Sequence, residues 1–315
     1  MRHVLIAACL LSSLACSPAA DPGPVAGEAC DDQGRCAEGL DCMRRVCVDD
    51  RGPAVRILLP ESLQAFDGEL SSILVNVSVV DLGEGDQVEV IVDPAVANPH
   101  RELVAIDGES ASVTLTLPTA LAPGSHHLRA QLVDADGQPY PNPSASAEVV
   151  LFVRDPEVPD TPRVAVVWPP SGYQHRIGTP LEVEVVVMPG SFGLVGEADS
   201  CAPVVDCEPE LGPECEDSCG PVSRSGHAKL FTLPDYPACL FDLPISCNGQ
   251  YIMSLRPGAG AELLDDHRVR GVLPGEQLTV PGTRPLQAAL SFADHDPYPS
   301  RANVIYDQIT IELIE

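Results

Sequence analysis

The chain repeats part of its own sequence. The stretch at 53–62 (PAVRILLPES) aligns with the stretch at 162–171 (PRVAVVWPPS). Further along, 123–141 and 281–299 share Pro-Gly-x3-Leu-x-Ala-x-Leu followed by Asp-x2-Pro-Tyr-Pro, in one ungapped register. A unit that occurs twice is expected to close its own core, so the chain should contain two domains of one kind. The offset between the copies grows from 109 to 158 residues, so the second copy carries about fifty additional residues in its middle.

These matches give the predicted domain organisation. The first copy occupies 53–154, a linker with two prolines (DPEVPDT) occupies 155–161, and the second copy occupies 162–315. Proline-spaced segments of this kind are typical of extended connections between domains. The additional residues form a predicted insert at 193–248 within the second copy.

Within each copy, apolar residues alternate with polar ones, which is the period of half-buried strands. Val75, Val77 and Val79 alternate with Asn76 and Ser78 in the first copy. The further predicted strands of that copy are 55–59, 87–92, 112–117, 128–133 and 148–153, and in the second copy Val183, Val185 and Val187 alternate with Glu182 and Glu184. The chain has 25 Gly and 32 Pro, which oppose long helices. The predicted fold class is therefore all-β.

About seven short strands in roughly a hundred residues, six of them named above, fit an immunoglobulin-like sandwich. The pattern at 123–137 resembles the one that spans the penultimate strand of bacterial immunoglobulin-like domains. This resemblance implies two tandem β-sandwiches. The Cys…Trp…Cys pattern of antibody domains is absent, since Trp168 is the single tryptophan and lies at the end of the first strand of copy two.

The N-terminus indicates export. A short charged start precedes an apolar run of about a dozen residues, which is too short to span a bilayer and suits a signal peptide at 1–15. The run ends in Leu14-Ala15-Cys16, which resembles a bacterial lipobox. The resemblance implies that Cys16 is lipidated and, because Ser17 follows it, that the lipid anchor lies in the outer membrane. A plain secretory signal is the alternative. Residues 16–29 are predicted to form a flexible tether.

A small cysteine-rich module is predicted at 30–48. Four cysteines occur within 18 residues, and a segment this short needs cross-links to fold. They are Cys30, Cys36, Cys42 and Cys47. Two disulfides are expected and three pairings are open; zinc is the rival, although the segment has no CxxC pair. The spacing is similar to short Dickkopf-like or epidermal-growth-factor-like modules of secreted bacterial proteins.

A second group of cysteines falls in the insert. Its members are predicted to form three disulfides, with fifteen pairings open: Cys201, Cys207, Cys215, Cys219, Cys239 and Cys247. Long insertions are usually functional or disordered, and six cysteines argue against disorder. We therefore expect this acidic insert to be an interaction surface for a basic or cation-bridged partner.

Charge and motifs exclude several classes of function. With 18 basic and 46 acidic residues the net charge is −28, so nucleic-acid binding is excluded. The chain contains no P-loop, GxGxxG, HExxH or GxSxG, so we predict no catalytic residue, metal or cofactor. His126 and His127 are neighbours on a strand, so we expect them to point to opposite faces and to lie at the surface. Asp134-Ala135-Asp136-Gly137 begins like a calcium loop but departs from one at its later positions. Tyr140 and Tyr298 are expected to cap the ends of the sandwiches.

The sequence therefore predicts a non-enzymatic lipoprotein of the cell envelope, with a binding, adhesion or structural role. Its partner would be an envelope or extracellular protein or a glycan. Two alternatives stay open: an enzyme or accessory subunit with a site in the insert, and a calcium-dependent adhesion module.

Overall fold

The computed structural model describes Cys30 and residues 35–43, 46–188, 192–194, 225–232, 252–258, 260–292 and 305–315. These residues form twenty strands and two short 3-10 turns, at Pro143–Ala145 and Gly275–Gln277. In the described part of the chain, no helix is long and apolar enough to cross a membrane. The predicted all-β fold class is confirmed.

The N-terminal module is a two-stranded hairpin closed by disulfides. Strand β1 (Asp41–Met43) pairs antiparallel with β2 (Val46–Val48). The sequence left three pairings open, and the structure has Cys30 bonded to Cys42 and Cys36 bonded to Cys47. The sulfurs of Cys30, Cys36 and Cys47 lie close together because the two disulfides are neighbours. Each of these sulfurs is in a disulfide, so none is available as a thiolate ligand for zinc.

The first copy folds into a sandwich of two sheets. Its strands are β3 (Ala54–Leu59), β4 (Gln64–Asp67), β5 (Leu70–Val80), β6 (Gln87–Val92), β7 (His100–Ala105), β8 (Ser110–Leu121), β9 (Gly124–Val133) and β10 (Ser146–Arg154). One sheet has the order β3-β5-β8 and the other the order β4-β10-β9-β6-β7. Between them lies an aliphatic core that includes Val75, Leu115 and Leu128. The predicted alternation on β5 is correct, since Val75, Val77 and Val79 are buried.

The second copy repeats this arrangement. Its strands are β11 (Arg163–Trp168), β12 (Tyr173–Arg176), β13 (Leu181–Met188), β14 (Gly193–Leu194), β15 (Ser225–Phe231), β16 (Met253–Leu255), β17 (Ala261–Asp265), β18 (Arg268–Leu273), β19 (Gly282–Phe292) and β20 (Tyr306–Ile314). One sheet has the order β11-β13-β18-β17, and the other has the order β12-β20-β19-β15-β14, with β16 also paired to β15.

In both copies the edge segment that begins the sandwich changes sheets. Strand β3 pairs with β5 and, after Pro60, β4 runs parallel to β10 in the opposite sheet. Strand β11 pairs with β13 and, after Pro169, β12 runs parallel to β20. Proline lacks the N–H that a continued ladder would need, so it suits the point of transfer. Two such sheets packed face to face make each copy an immunoglobulin-like sandwich.

The block at 193–248, which was expected to be one insert outside the sandwich, contains a strand of the sandwich itself. Strand β15 lies inside the predicted insert at 193–248, and its residues Ala228 and Leu230 belong to the core of the second sandwich. It pairs along its length with β19, as β6 pairs with β9 in the first copy. The prediction of one continuous insert is therefore wrong, because the block contains a central strand. Four of its six cysteines precede β15 and two follow it.

Candidate functional site

The two sandwiches share a small apolar cluster of their own. Val150 and Phe152 on β10 pack against Ala165 on β11 and Val186 on β13, and all four side chains are almost fully buried. These side chains point away from the core of their own sandwich, because successive residues of a strand face opposite sides. Burial of their outward faces means that one sandwich covers the other.

A buried histidine links the sandwiches beside this cluster. His127 on β9 donates from Nδ1 to Glu148 Oε1 on β10 at 2.9 Å. It also donates from Nε2 to Asp307 Oδ2 on β20, in the other sandwich, at 2.9 Å. Both acceptors are carboxylates, so the imidazole must carry both protons and is a cation. The side chain of His127 is 4% exposed, so this ion cluster is shielded from water.

Each carboxylate of this cluster has further donors. Glu148 Oε2 accepts from Arg129 Nε at 3.1 Å and from Arg129 Nη2 at 2.9 Å. The same carboxylate accepts the backbone N–H of Ser171, in the second sandwich, at 3.2 Å. Asp307 Oδ2 accepts the backbone N–H of Val166 at 2.7 Å, and Asp307 Oδ1 accepts from the hydroxyl of Ser125 at 3.2 Å. A buried charge is stable only with partners of this kind.

The same contacts shift the pKa values of the three groups. Burial lowers the pKa of His127, but the charges of Asp307 and Glu148 outweigh burial and raise that pKa well above its ordinary value. For Glu148, burial raises the pKa, and the bonded His127 together with Arg129 lowers it overall. For Asp307, burial again raises the pKa, and the charge of His127 lowers it overall. All three groups are therefore ionised at neutral pH. We call His127, Glu148 and Asp307 the bridging triad.

A cleft opens next to the triad, between the sandwiches. Its volume is about 590 Å³, and its lining includes Ala97, Pro123 and Tyr306. His126 lies at its wall and donates from Nδ1 to Asp93 Oδ2 at 2.8 Å and from Nε2 to the carbonyl of Ala122 at 2.7 Å. Burial opposes protonation of His126, but Asp93 outweighs it and raises the pKa. Asp93 also accepts the backbone N–H of His127 at 2.9 Å, which holds the start of β9 in place.

The lining of the cleft includes a serine, a histidine and an aspartate, which are the residue types of a hydrolase triad. Their hydrogen bonds do not connect them in the order that a hydrolase requires. In a hydrolase the histidine accepts the serine proton while the aspartate orients the histidine. Here the hydroxyl of Ser125 bonds to Asp307, and both nitrogens of His127 donate to carboxylates. His127 therefore has no nitrogen available as a base, and this arrangement holds two sandwiches together instead of activating a nucleophile.

The expectation that His126 and His127 lie at the surface is wrong for His127. The two side chains do diverge, but the outer face of β9 near His127 is covered by the second sandwich. The expected half-buried pattern of 148–153 is also wrong, since Val150 to Val153 are buried on both faces. A continuous apolar run such as Val149–Val153 is the sequence signal of a strand covered on both sides. A prediction based on alternation alone assigns such a run to a half-buried strand.

Two other predicted features have specific contacts. The hydroxyl of Tyr140 donates to Asp86 at 2.9 Å, which ties two loops at the end of the first sandwich. Asp134 Oδ1 accepts the backbone N–H groups of Asp136 and Gln138 at 2.9 and 2.8 Å, so this carboxylate closes a turn. Tyr298, Cys16 and the six cysteines from Cys201 to Cys247 lie outside the described residues.

The short segment between the cysteine-rich module and the first sandwich is fixed to copy one. Asp50 accepts the N–H of Ser144 at 2.7 Å and its hydroxyl at 2.6 Å. Asn142 Nδ2 donates to the carbonyl of Pro53 at 2.9 Å. Gly52 has φ +141°, and a Cβ there would lie 2.9 Å from Asn142 Oδ1, so the close approach requires glycine.

No protein-family model and no curated protein sequence matches this chain. Among solved structures it is similar to the fibronectin(III)-like modules of Clostridium thermocellum CbhA, with 14% identity over 82% of this chain and 93% of that one and a TM-score of 0.23. It is also similar to a titin immunoglobulin tandem, A164–A165, with 12% identity, 84% and 98% coverage and a TM-score of 0.21. A tandem repeat from the extending region of a large adhesion protein aligns at 11% identity, 83% and 49% coverage and a TM-score of 0.24. Scores this low place no constraint on function.

Proposed function

We propose that this protein is a non-enzymatic lipoprotein of the outer membrane whose two sandwiches form a stiff arm. The single observation that carries the arm is the shared buried contact, in which an apolar cluster and the bridging triad join copy one to copy two. Domains joined only by a linker move relative to one another by default. Here such movement would expose the buried apolar side chains and the buried ions of the triad to water, which opposes it.

The membrane end of the arm follows from the sequence. The apolar run ending in Leu14-Ala15-Cys16 supports lipidation of Cys16, and the tether at 16–29 joins the lipid to the cysteine-rich module. Two or more acyl chains anchor a protein far more firmly than one. The contact of Asp50 with Ser144 fixes the residues after that module to the first sandwich, so in this proposal the stiff part of the arm begins at Asp50.

The role we propose for the arm is to bind a partner at a distance from the membrane. The net charge of −28 favours a basic or cation-bridged protein or glycan of the envelope or the extracellular space. Attraction of this kind weakens as salt is added, because mobile ions screen exposed charges over about 10 Å at 0.1 M. Binding that is unaffected by salt would contradict this part of the proposal.

Fractionation of a Gram-negative host that expresses the full chain tests the anchor. Cys16→Ser should move the protein from the membrane fraction to the soluble fraction. Cys9→Ser is the matched control, because it makes the same chemical change within the apolar run and should leave partitioning unchanged. If Cys16→Ser stays in the membrane fraction, the lipid anchor is refuted.

A further inference from the structure

One face of the first sandwich differs from the rest of this acidic protein. The sheet β3-β5-β8 presents β5 and β8 side by side, and their 11 and 12 residues include no charged side chain. Among the outward side chains, Leu58 and Leu74 are about half exposed, at 54% and 50%. The others on β5 and β8 are mainly serine and threonine, and β3 adds the exposed Arg56. In a chain of net charge −28, this is a surface that a second acidic molecule can approach without repulsion.

The edge of that sheet is open at β8. In the described part of the chain β8 pairs with β5 alone, whereas the matching strand β18 of the second copy is covered by β17. Only four residues, 106–109, connect β7 to β8 in the first copy. This connection is too short to supply a covering strand, so the position occupied by β17 in copy two has no equivalent segment of chain in copy one.

The register shows which backbone groups face the opening. The N–H of Val79 donates to the carbonyl of Glu109 at 2.9 Å, and the pairing continues with Val77 opposite Ala111 and Val75 opposite Val113. In an antiparallel pair, residues that bond to the partner strand alternate with residues whose N–H and C=O point away from it. The N–H and C=O groups of Ser112, Thr114 and Thr116 therefore point to the open side.

Exposed edges are normally protected by charge, proline or a covering element. The edge strand β7 contains Arg101 and Glu102, and β17 contains Glu262 and Asp265. Strand β8 has Pro118 near its end and no charge, which leaves Ser112 to Thr116 as an unprotected run.

We propose that β8 is a self-association edge, at which two copies of this chain pair antiparallel about a two-fold axis at Thr114. Thr114 then lies opposite Thr114 of the second copy, and Ser112 lies opposite Thr116. Three bonded residue pairs supply about six backbone hydrogen bonds, since each such pair exchanges two. The two sheets become one six-stranded sheet, and the uncharged surfaces of β5 and β8 continue across the axis. The occupant is a second copy because such an edge pairs with itself and leaves the acidic surfaces apart. This inference does not depend on the lipid anchor.

Sedimentation velocity of the purified full chain over a concentration series tests the association. The wild type should pass from one copy to two as concentration rises. Thr114→Glu places two like charges at the axis and should raise the dissociation constant by at least about tenfold, which corresponds to 1.4 kcal/mol. Ser72→Glu adds the same charge to the same face one strand away and should have a much smaller effect. A wild type that stays a single copy, or a dimer indifferent to Thr114→Glu, overturns the proposal.

Cross-linking tests the axis itself. Residues opposite each other in a bonded pair have Cα atoms about 5.5 Å apart, which a disulfide can span. Exported Thr114→Cys should therefore form a disulfide-linked dimer on a non-reducing gel. In the same geometry two copies of residue 116 lie about 13 Å apart, four residues along the strand, so Thr116→Cys should not cross-link. Equal cross-linking of the two variants, or none with Thr114→Cys, refutes the axis.

Discussion

The two copies share a core plan but differ on their outer faces. On the last strand of copy one the outward residues include Val150 and Phe152, which the second sandwich covers. The register with the preceding strand places Thr310 and Glu312 at the matching positions of copy two. In the sheet β3-β5-β8, strands β5 and β8 have no charged residue. The matching sheet of copy two has an ion ladder in which Arg268 contacts Glu184 at 3.3 Å and Arg270 contacts Glu262 at 2.9 Å.

The two copies are alike inside and differ in what their outer faces contact. The inward positions of both copies are aliphatic, because each sandwich must bury its own core. The outward positions meet no such requirement, so they differ according to what each face contacts. Copy one has one face that copy two covers and another on which strands β5 and β8 carry no charge. The matching sheet of copy two is charged, and its strand β18 is covered by β17.

Truncation of a side chain in the shared apolar cluster should give the largest loss of stability. Phe152→Ala is expected to lower the free energy of unfolding by about 3–5 kcal/mol, because it removes a buried aromatic ring and leaves a cavity. The measurement is urea denaturation of the full chain. Glu312→Ala, at the matching position of copy two, should change stability by less than about 0.5 kcal/mol. Equal effects at the two positions would show that the last strands do not differ in this way.

Removal of one charge from the bridging triad should cause a smaller loss of stability than truncation of the apolar cluster. Asp307→Asn keeps the size of the side chain but weakens its bonds to His127 and Val166, and hydrogen bonds to charged groups are worth about 1.5–3 kcal/mol. A loss of that order is expected in thermal or urea unfolding. Asp265→Asn is the control, because Asp265 is exposed and lies 3.9 Å from Arg268, so its pair contributes little. A loss no greater than the control's would mean that the triad does not stabilise the interface.

The pH dependence of stability follows from the direction of each pKa shift. The pKa of His127 is raised by folding, so its contribution is complete below the ordinary histidine pKa and is lost as pH rises through the folded value. The pKa values of Glu148 and Asp307 are lowered, so their contributions are lost as pH falls through their folded values. We expect stability to fall at both ends, and Asp307→Asn to move the alkaline fall to lower pH. An alkaline fall unmoved by Asp307→Asn would contradict the assignment to His127.

The junction at residues 49–52, which follows the cysteine-rich module and contacts copy one, should give the smallest loss of stability. Gly52→Ala forces a side chain into a positive-φ position against Asn142, which should cost about 1–2 kcal/mol or slightly more. Gly68→Ala is the matched control, since Gly68 has φ +78° with nothing within 4 Å of a Cβ. The difference between the two variants in thermal unfolding reports the contact with Asn142. If Gly68→Ala costs as much, the junction adds nothing beyond backbone strain.

Repetition and alternation were enough to predict the sandwiches. The strand at 87–92 was predicted with the bounds that β6 has, because its residues follow the period of two. The central strand β15 was missed, since Ser225–Phe231 lies between two cysteine-rich stretches that dominate the local composition. The disulfide pairing of the module needed coordinates, because sequence spacing does not distinguish three possible connections.

The bridging triad could not be predicted from the sequence either. Its members are separated by 21 and 180 residues, so they meet only when one sandwich packs on the other. The apolar runs at Val149–Val153 and Val185–Met188 do carry a signal, since a strand apolar at successive positions is buried on both faces. They indicate that something covers these strands without indicating what covers them.

The shared buried contact should make the two sandwiches move as one body. Residual dipolar couplings of the full chain in a dilute aligning medium test this, because each rigid body reports its own alignment tensor. We expect one tensor, equal in magnitude and orientation for β3–β10 and β11–β20, at neutral pH. Two tensors of different magnitude would mean that the sandwiches reorient independently, and the stiff arm would be refuted.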